Sequence, residues 1–220
     1  MTRQTDFNWT DAVKLPAECE GRTVTLKATA TFKNGETARA ESFFTYTSTP
    51  VEVKTGDNWT NLGGNPQHVA VTKDTLNLPI RLAWVKNMGS NVYMTSPIVV
   101  DGKVFAATMD ENIQGKSSVT AMDATDGSLC WKYSTRSSVK NTIVSAQGLI
   151  FAQDIWGYLY AIDAKSGKLA WEKKLDVAVV PGLEDGLAAN ETTVFAGARK
   201  GLVALDARTG REIWKNSSWS

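Results

Sequence analysis

Gly157-Tyr158-Leu159-Tyr160-Ala161-Ile162-Asp163-Ala164-Lys165-Ser166-Gly167-Lys168-Leu169-Ala170-Trp171 decides the fold, because the chain carries two sister copies of it. Ala121-Met122-Asp123-Ala124 leads to Gly127 and Trp131, and Ala204-Leu205-Asp206-Ala207 leads to Gly210 and Trp214. In each copy Gly follows the Asp by four residues and Trp follows the Gly by four. The three tryptophans recur 40 and 43 residues apart, a period that belongs to repeat architectures.

The segment from Asp to Gly reads as a tight turn between two strands. An Asp side chain accepts hydrogen bonds from backbone N–H groups just beyond it, and Gly supplies the positive φ that closes the turn. Alignment places Val119, Leu159 and Leu202 at one strand position and Met122, Ile162 and Leu205 three residues later. Positions three apart face opposite sides of a strand, so both sheet faces are apolar and each sheet must be sandwiched between two others. Upstream lie two more matched runs. One holds Val104-Phe105-Ala106, Ile150-Phe151-Ala152 and Val194-Phe195-Ala196; the other spans Pro97 to Val100, Thr142 to Ala146 and Gly186 to Ala189. Each unit is therefore four short strands in about 40–45 residues, the size of one propeller blade. Its outer-strand Trp is expected to plug the gap to a neighbouring blade. Leu82-Ala83-Trp84 reads as the outer strand of a preceding, incomplete blade.

These repeats resemble those of pyrroloquinoline-quinone (PQQ)-type β-propellers, whose signature is close to Gly-x-Leu-Tyr-Ala-Leu-Asp-Ala-x-Thr-Gly-x-x-x-Trp. The resemblance runs from Asn58 to Trp214, and Asn58-Trp59-Thr60-Asn61-Leu62-Gly63-Gly64-Asn65-Pro66 resembles the Trp- and Gly-rich lead-in of that family. The fold class expected is all-β, a partial propeller of about three blades plus an incomplete one. Rings need four to eight blades, so truncation at both ends or assembly of several copies through open edges is expected.

In the N-terminal part, Val24, Leu26, Ala28, Ala30 and Phe32 alternate with Thr and Lys, and a second alternating run reaches Tyr46. A two-residue Asn34-Gly35 turn would pair Ala30 with Arg39 and Ala28 with Glu41, placing charges on the apolar face. A three-residue loop, Lys33-Asn34-Gly35, pairs Ala30 with Ala38 and Leu26 with Ser42 and is the expected register. The hairpin resembles the last strands of an immunoglobulin-like sandwich. The expected organisation is residues 1–49 as that sandwich end, 50–57 as a Pro- and Gly-punctuated linker, and 58–220 as propeller blades. Such a pairing of modules resembles the region behind the catalytic domain of bacterial calcineurin-like metallophosphoesterases.

Composition narrows the function. With 24 Lys and Arg against 23 Asp and Glu in 220 residues, the net charge is +1, and nothing favours nucleic acid or an acidic membrane surface. No apolar run is long enough to span a bilayer. Cys130 aligns with Ala170 and Ile213 and is expected as a small buried residue, and Cys19 lies far from it. The single His68 sits in a polar segment, and no zinc-ligand pattern, nucleophile elbow or phosphate loop is present. Asp123, Asp163 and Asp206 hold a fixed place before the turn Gly and are assigned a structural role.

Binding groups of a propeller sit on the loops at the mouth of its central channel, and here those loops differ most between copies. The first holds Asp110, Glu111 and Lys116; the second Asp154 and Trp156; the third Arg199 and Lys200; Arg136 and Lys140 lie on a connection opening to the same end. The family's dehydrogenases imply a calcium-assisted quinone held by a complete ring and, in many, an adjacent cysteine pair. This chain has no adjacent cysteines, which argues against the cofactor being bound by this chain alone. The leading expectation is a non-catalytic module for protein or ligand binding in a larger extracytoplasmic bacterial protein, similar in fold to the propeller lipoprotein of the outer-membrane assembly machinery. The rivals are the accessory tail of a metallophosphoesterase and a fragment of a PQQ-dependent dehydrogenase.

Overall fold

The computed structural model describes residues 2–3, 9–10, 13–46, 53, 56–75, 82–110, 115–175, 186–198 and 201–217. The chain divides into two compact units, Asp11–Glu52, and Met1–Thr10 with Val53–Ser220. In the larger unit β1 (Thr2–Arg3) pairs antiparallel with β2 (Trp9–Thr10). The smaller unit is a hairpin of β3 (Thr23–Thr31) and β4 (Thr37–Thr45), with Leu26 opposite Ser42 and Ala30 opposite Ala38. The Phe32 N–H donates to Glu36 O at 2.8 Å, and Gly35 takes φ +86°, so the loop has three residues as the alternation demands.

The rest of the larger unit is three four-stranded antiparallel meanders. The first runs β5 (Ile98–Val100), β6 (Lys103–Ala107), β7 (Ser118–Asp123) and β8 (Leu129–Ser134). The second runs β9 (Val144–Ala146), β10 (Leu149–Gln153), β11 (Tyr158–Asp163) and β12 (Leu169–Lys174). The third runs β13 (Leu187–Ala189), β14 (Thr193–Ala198), β15 (Gly201–Asp206) and β16 (Glu212–Asn216). Strand β9 lies beside β5 on one side and β13 on the other, so the sheets fan as propeller blades from their shortest strands.

Two apolar layers fill the gaps between blades. Phe105, Val119 and Ala121 of the first blade meet Ile150, Tyr160 and Ile162 of the second. Phe151, Leu159 and Ala161 of the second meet Val194, Val203 and Leu205 of the third. Leu159 and Ile162 thus serve opposite layers, as positions three apart on one strand must. Burying each large aliphatic or aromatic side chain contributes about 1.5–3 kcal/mol.

The repeated turn joins the layers. Asp163 accepts from the Ser166 N–H at 2.7 Å and the Ser166 hydroxyl at 2.6 Å, while the Gly167 N–H donates to Asp163 O at 2.9 Å. Asp206 does the same with Thr209, and Asp123 with Thr125. These hydrogen bonds, side chain first, hold the three carboxyls below their ordinary value of 3.8. The turn then receives the Trp of the blade before it. Trp131 Nε1 donates to Ala164 O at 3.0 Å, Trp171 Nε1 to Ala207 O at 3.0 Å, and Trp84 Nε1 to Ala124 O at 2.9 Å. Gly167 takes φ +71°, and a Cβ there would stand 2.6 Å from Trp131 Cγ, so both the backbone and the indole require Gly. Trp84 makes the docking contact expected of it, but Leu82-Ala83-Trp84, expected as an outer strand, is not in a strand.

One expectation is corrected. Cys130 is exposed, not buried. It is the extra residue of a bulge in the outermost strand, skipped between the Ala121–Trp131 and Met122–Leu129 pairs, and no further strand among the described residues pairs with that strand's outer edge; Leu129 and Ile213 on these outer strands are exposed too.

A lead-in segment crosses the innermost strands, one residue per blade. Trp59 exchanges backbone hydrogen bonds with Val99 of β5 at 2.7 and 3.0 Å. Thr60 O accepts the Ser145 N–H of β9 at 2.8 Å. The fully buried Asn61 side chain takes the Ala189 N–H of β13 at 2.9 Å and donates to Ala189 O at 3.2 Å. Val99, Ser145 and Ala189 occupy equivalent places in the three blades. At the turn end of β9 and β13, beside this segment, a cleft of about 680 Å3 of mixed polar and apolar lining is bordered by residues that include Pro66, Gln67, Ala146, Gln147, Asn190 and Glu191.

Candidate binding surface

At the opposite end of the blades, the connection from β8 to β9 ties the mouth loops together. Ser138 Oγ accepts the Asp110 N–H at 2.8 Å and donates to Asp110 O at 3.2 Å, and Ser138 O accepts the Ile155 N–H at 2.9 Å. Val139 forms an isolated bridge with Asp154. Asp110 Oδ2 also accepts the Lys116 N–H at 3.0 Å, which closes the first mouth loop on itself.

Asp154 organises the second loop from inside. It is fully buried; Oδ1 accepts the N–H groups of Trp156 at 3.0 Å and Tyr158 at 2.9 Å, and Oδ2 accepts the Tyr160 hydroxyl at 2.7 Å. Three charge-assisted bonds satisfy a buried carboxylate. The Tyr160 hydroxyl in turn accepts the Arg136 N–H at 3.1 Å, and burial raises the phenol well above its ordinary range, so it stays protonated and donating.

The same cap turns Trp156 outward, leaving it 51% exposed. Beside it, the Tyr158 ring lies between two cations, with the Arg136 guanidinium 4.7 Å and the Lys174 ammonium 4.4 Å from its centroid. Lys174 Nζ also donates to Trp156 O, and Arg136 pairs with Glu172 at 2.6 Å. The result is a pre-ordered surface of Trp156, Tyr158, Arg136, Lys174 and Glu172, two cations and one carboxylate around two aromatic rings. Lys174, Tyr158 and Glu172 were absent from the sequence-derived set; the signal that could have found Glu172 and Lys174 is the alternation of β12, and Tyr158 of β11 is the cross-strand partner of Lys174.

Of the expected mouth residues, the structure brings Arg136 and Trp156 to this surface. Asp154 is spent inside the loop, Asp110 holds the first loop, and Lys140 is half-buried on the connection without joining the Tyr158 cluster. Glu111, Arg199 and Lys200 lie outside the described residues. His68 is exposed on the lead-in with φ +54°. Beneath the mouth, Asn141 and Gln153 are fully buried; among the described residues both polar atoms of Asn141 and Oε1 of Gln153 have no hydrogen-bond partner.

A family model described as "Outer membrane protein assembly factor BamB" matches residues 81–220, well over half the chain. The chain belongs to this PQQ-like β-propeller family. Among curated PQQ-like relatives, 1-butanol dehydrogenase (cytochrome c) of Thauera butanivorans is 32% identical over 46% of this chain and 16% of its own length. Quinohemoprotein alcohol dehydrogenase ADH-IIG of Pseudomonas putida is 31% identical over 54% of this chain and 19% of its own. The chain thus spans under a fifth of either enzyme. Among solved structures, BamB from Moraxella catarrhalis superposes with TM-score 0.51 and 24% identity, covering 62% of this chain and 40% of that one. A europium-containing methanol dehydrogenase gives TM-score 0.58 and 19% identity over 75% of this chain and 32% of that one. Both likenesses concern the PQQ-like propeller fold.

Proposed function

We propose that this chain is a non-catalytic PQQ-like propeller module that binds a protein partner, as part of a larger extracytoplasmic bacterial protein. The observation that carries the reading is the mouth-end surface: an exposed indole beside a tyrosine clamped by Arg136 and Lys174, all fixed from within by Asp154. Trp, Tyr and Arg dominate the energetics of protein interfaces, and side chains ordered in advance lose little entropy on binding. The family's description as an outer-membrane assembly factor supports both a protein partner and a place outside the cytoplasm. Among the described residues no helix is long and apolar enough to cross a membrane. The hairpin of β3 and β4 is read as the end of an immunoglobulin-like sandwich that precedes the propeller.

The test is site-specific photo-crosslinking. A photoreactive residue in place of Trp156 is expected to trap one discrete protein in an extracytoplasmic extract, and the same residue in place of Lys165, on the second-blade turn, is expected to trap none. Equal capture at both positions, or none at 156, removes the proposal.

The second reading, a fragment of a quinone-dependent dehydrogenase, is favoured by the 31–32% identity to such enzymes and by the buried amides of Asn141 and Gln153. The described residues do not by themselves fit a flat quinone. Arg136 is engaged by Glu172, and no group of three His, Cys, Asp or Glu among them could hold the accompanying cation. Titration with the quinone and calcium, followed by absorbance, separates the readings; stoichiometric binding by this chain favours the dehydrogenase.

A further inference from the structure

We propose that the cleft between the inner turns of the second and third blades binds an extended peptide segment of a partner protein, with a Lys or Arg side chain held by Glu191. The site lies at the turn end of the blades, away from the mouth surface, and does not rest on the reading of that surface.

The lead-in shows what these inner turns accept from a passing chain. At the first blade, the turn between β5 and β6 holds Asp101 at φ +47°. Asn58 of the lead-in covers it, accepting the Asp101 N–H at 2.9 Å and donating to Asp101 Oδ1 at 3.2 Å. The second blade repeats the turn with Gln147 at φ +54°. No lead-in side chain among the described residues bonds to it. Gln147 Nε2 instead donates to Glu191 O on the inner turn of the third blade, which ties the two turns together as walls of the cleft.

These walls keep polar groups in hand. Gln147 retains its side-chain oxygen after that donation. Asn190 spends Oδ1 on the N–H groups of Thr192 at 3.0 Å and Thr193 at 2.9 Å, which leaves its amide N–H groups to donate. The Gln67 side chain makes no hydrogen bond among the described residues, and it lines the same cleft. Below them Ser145 is only 6% exposed, and its hydroxyl too has no partner among the described residues. Each amide side chain carries donors and an acceptor, the pair that a peptide group offers in return.

Charge selects the peptide. Glu191 is exposed, is the one ionisable residue of the lining, and makes no ion pair among the described residues. A phosphate or carboxylate ligand would meet this carboxylate with no cation in the lining to offset it, whereas a basic side chain complements it. The lining also holds no aromatic ring on which a sugar face could stack. Its volume of about 680 Å3 lies within the range of ligand sites.

The test uses a random heptapeptide library displayed on phage and panned on the whole chain. The enriched peptides are expected to share a Lys or Arg, and each is then labelled and titrated by fluorescence anisotropy. Glu191→Gln is expected to weaken binding at least about threefold, and Gln67→Ala is expected to weaken it as well. Glu191→Lys, panned afresh, is expected to enrich acidic peptides instead. Both positions are exposed, so melting temperatures are expected to stay unchanged. Enrichment without a shared basic residue overturns the proposal, and so does a basic peptide that binds the Glu191→Gln protein as tightly as the parent. A peptide weakened by Glu191→Gln but untouched by Gln67→Ala reads surface charge rather than the cleft, and overturns it too. Crosslinking at position 156 reads the other end of the blades, so the two proposals fail separately.

Discussion

Replacing Trp171 by Ala tests the blade-to-blade contact most directly, because Trp214 is its built-in control. Trp171 fills the gap between the second and third blades, with its ring 5.7 Å from Phe151, its edge against Gly210 and its Nε1 bonded to Ala207 O at 3.0 Å. Deleting a buried aromatic costs about 3–5 kcal/mol. Trp171 is partly rather than fully buried, so about 3 kcal/mol is expected, of which the hydrogen bond is about 1. Trp214 keeps the same place beside Phe195 on its own blade, but among the described residues no turn receives it, and Trp214→Ala should cost under about 1 kcal/mol. Trp171→Phe keeps most of the ring and loses the N–H, and should fall between the two, near the hydrogen-bond cost alone. Urea unfolding followed by circular dichroism gives the ranking from the midpoints, provided the slopes agree. Equal losses for Trp171→Ala and Trp214→Ala, or a larger loss for Trp214→Ala, would refute the forward docking of each indole onto the next turn.

Asn61→Ala strips Ala189 of both its partners in a fully buried site, and thermal unfolding should show a loss of about 2–4 kcal/mol; His68→Ala, seven residues on and exposed, should change stability by less than about 0.5. Gly167→Ala combines a positive φ with a Cβ 2.6 Å from Trp131 Cγ, so a loss of at least about 2 kcal/mol is expected by chemical denaturation. Asp123, Asp163 and Asp206 have folded pKa values depressed below 3.8, so their stabilisation is present above that pH and is lost as pH falls through the lower folded values. Acid unfolding should therefore set in below about pH 4, and Asp163→Asn should flatten that limb in a pH-resolved melt while leaving the neutral-to-alkaline limb unchanged.

The propeller was legible because its signature is both local and repeated. Asp163, Gly167 and Trp171 state a turn and a docking partner within nine residues, and two further copies remove the ambiguity of any one strand. The hairpin register was legible for a similar reason: only the Lys33-Asn34-Gly35 loop keeps Arg39 and Glu41 off the apolar face. The lead-in ladder was not, since Trp59 and Thr60 bind through backbone atoms, which carry no residue signature, and Asn61 alone does not announce a partner 128 residues away. Loop charges were legible as types but not as states. Asp154 and Arg136 look equally free in a sequence, yet one is consumed by Trp156, Tyr158 and Tyr160 and the other by Glu172. Cys130 misled because its alignment partners Ala170 and Ile213 are apolar, and apolar residues on an uncovered outer strand remain in water.

The two ends of each blade carry different kinds of information. At the turn end the repeated outer turn is nearly invariant between copies, and its groups are used: Asp on its own turn, Ala carbonyl and Gly on the incoming Trp, with inner-strand backbone on Trp59, Thr60 and Asn61. A substitution there is felt by the neighbouring blade as well as its own, since stability in stacked repeats is set by nearest-neighbour contacts. At the mouth end the copies diverge, and the divergence is tolerated because one buried group, Asp154, anchors the loop from below while its rim stays free to vary. Trp156 can be exposed only because Asp154, Tyr160 and the Arg136 backbone fix the chain on both sides of it. An exposed indole on a loop so anchored is available to a partner without the ordering entropy that a loose loop would lose on binding.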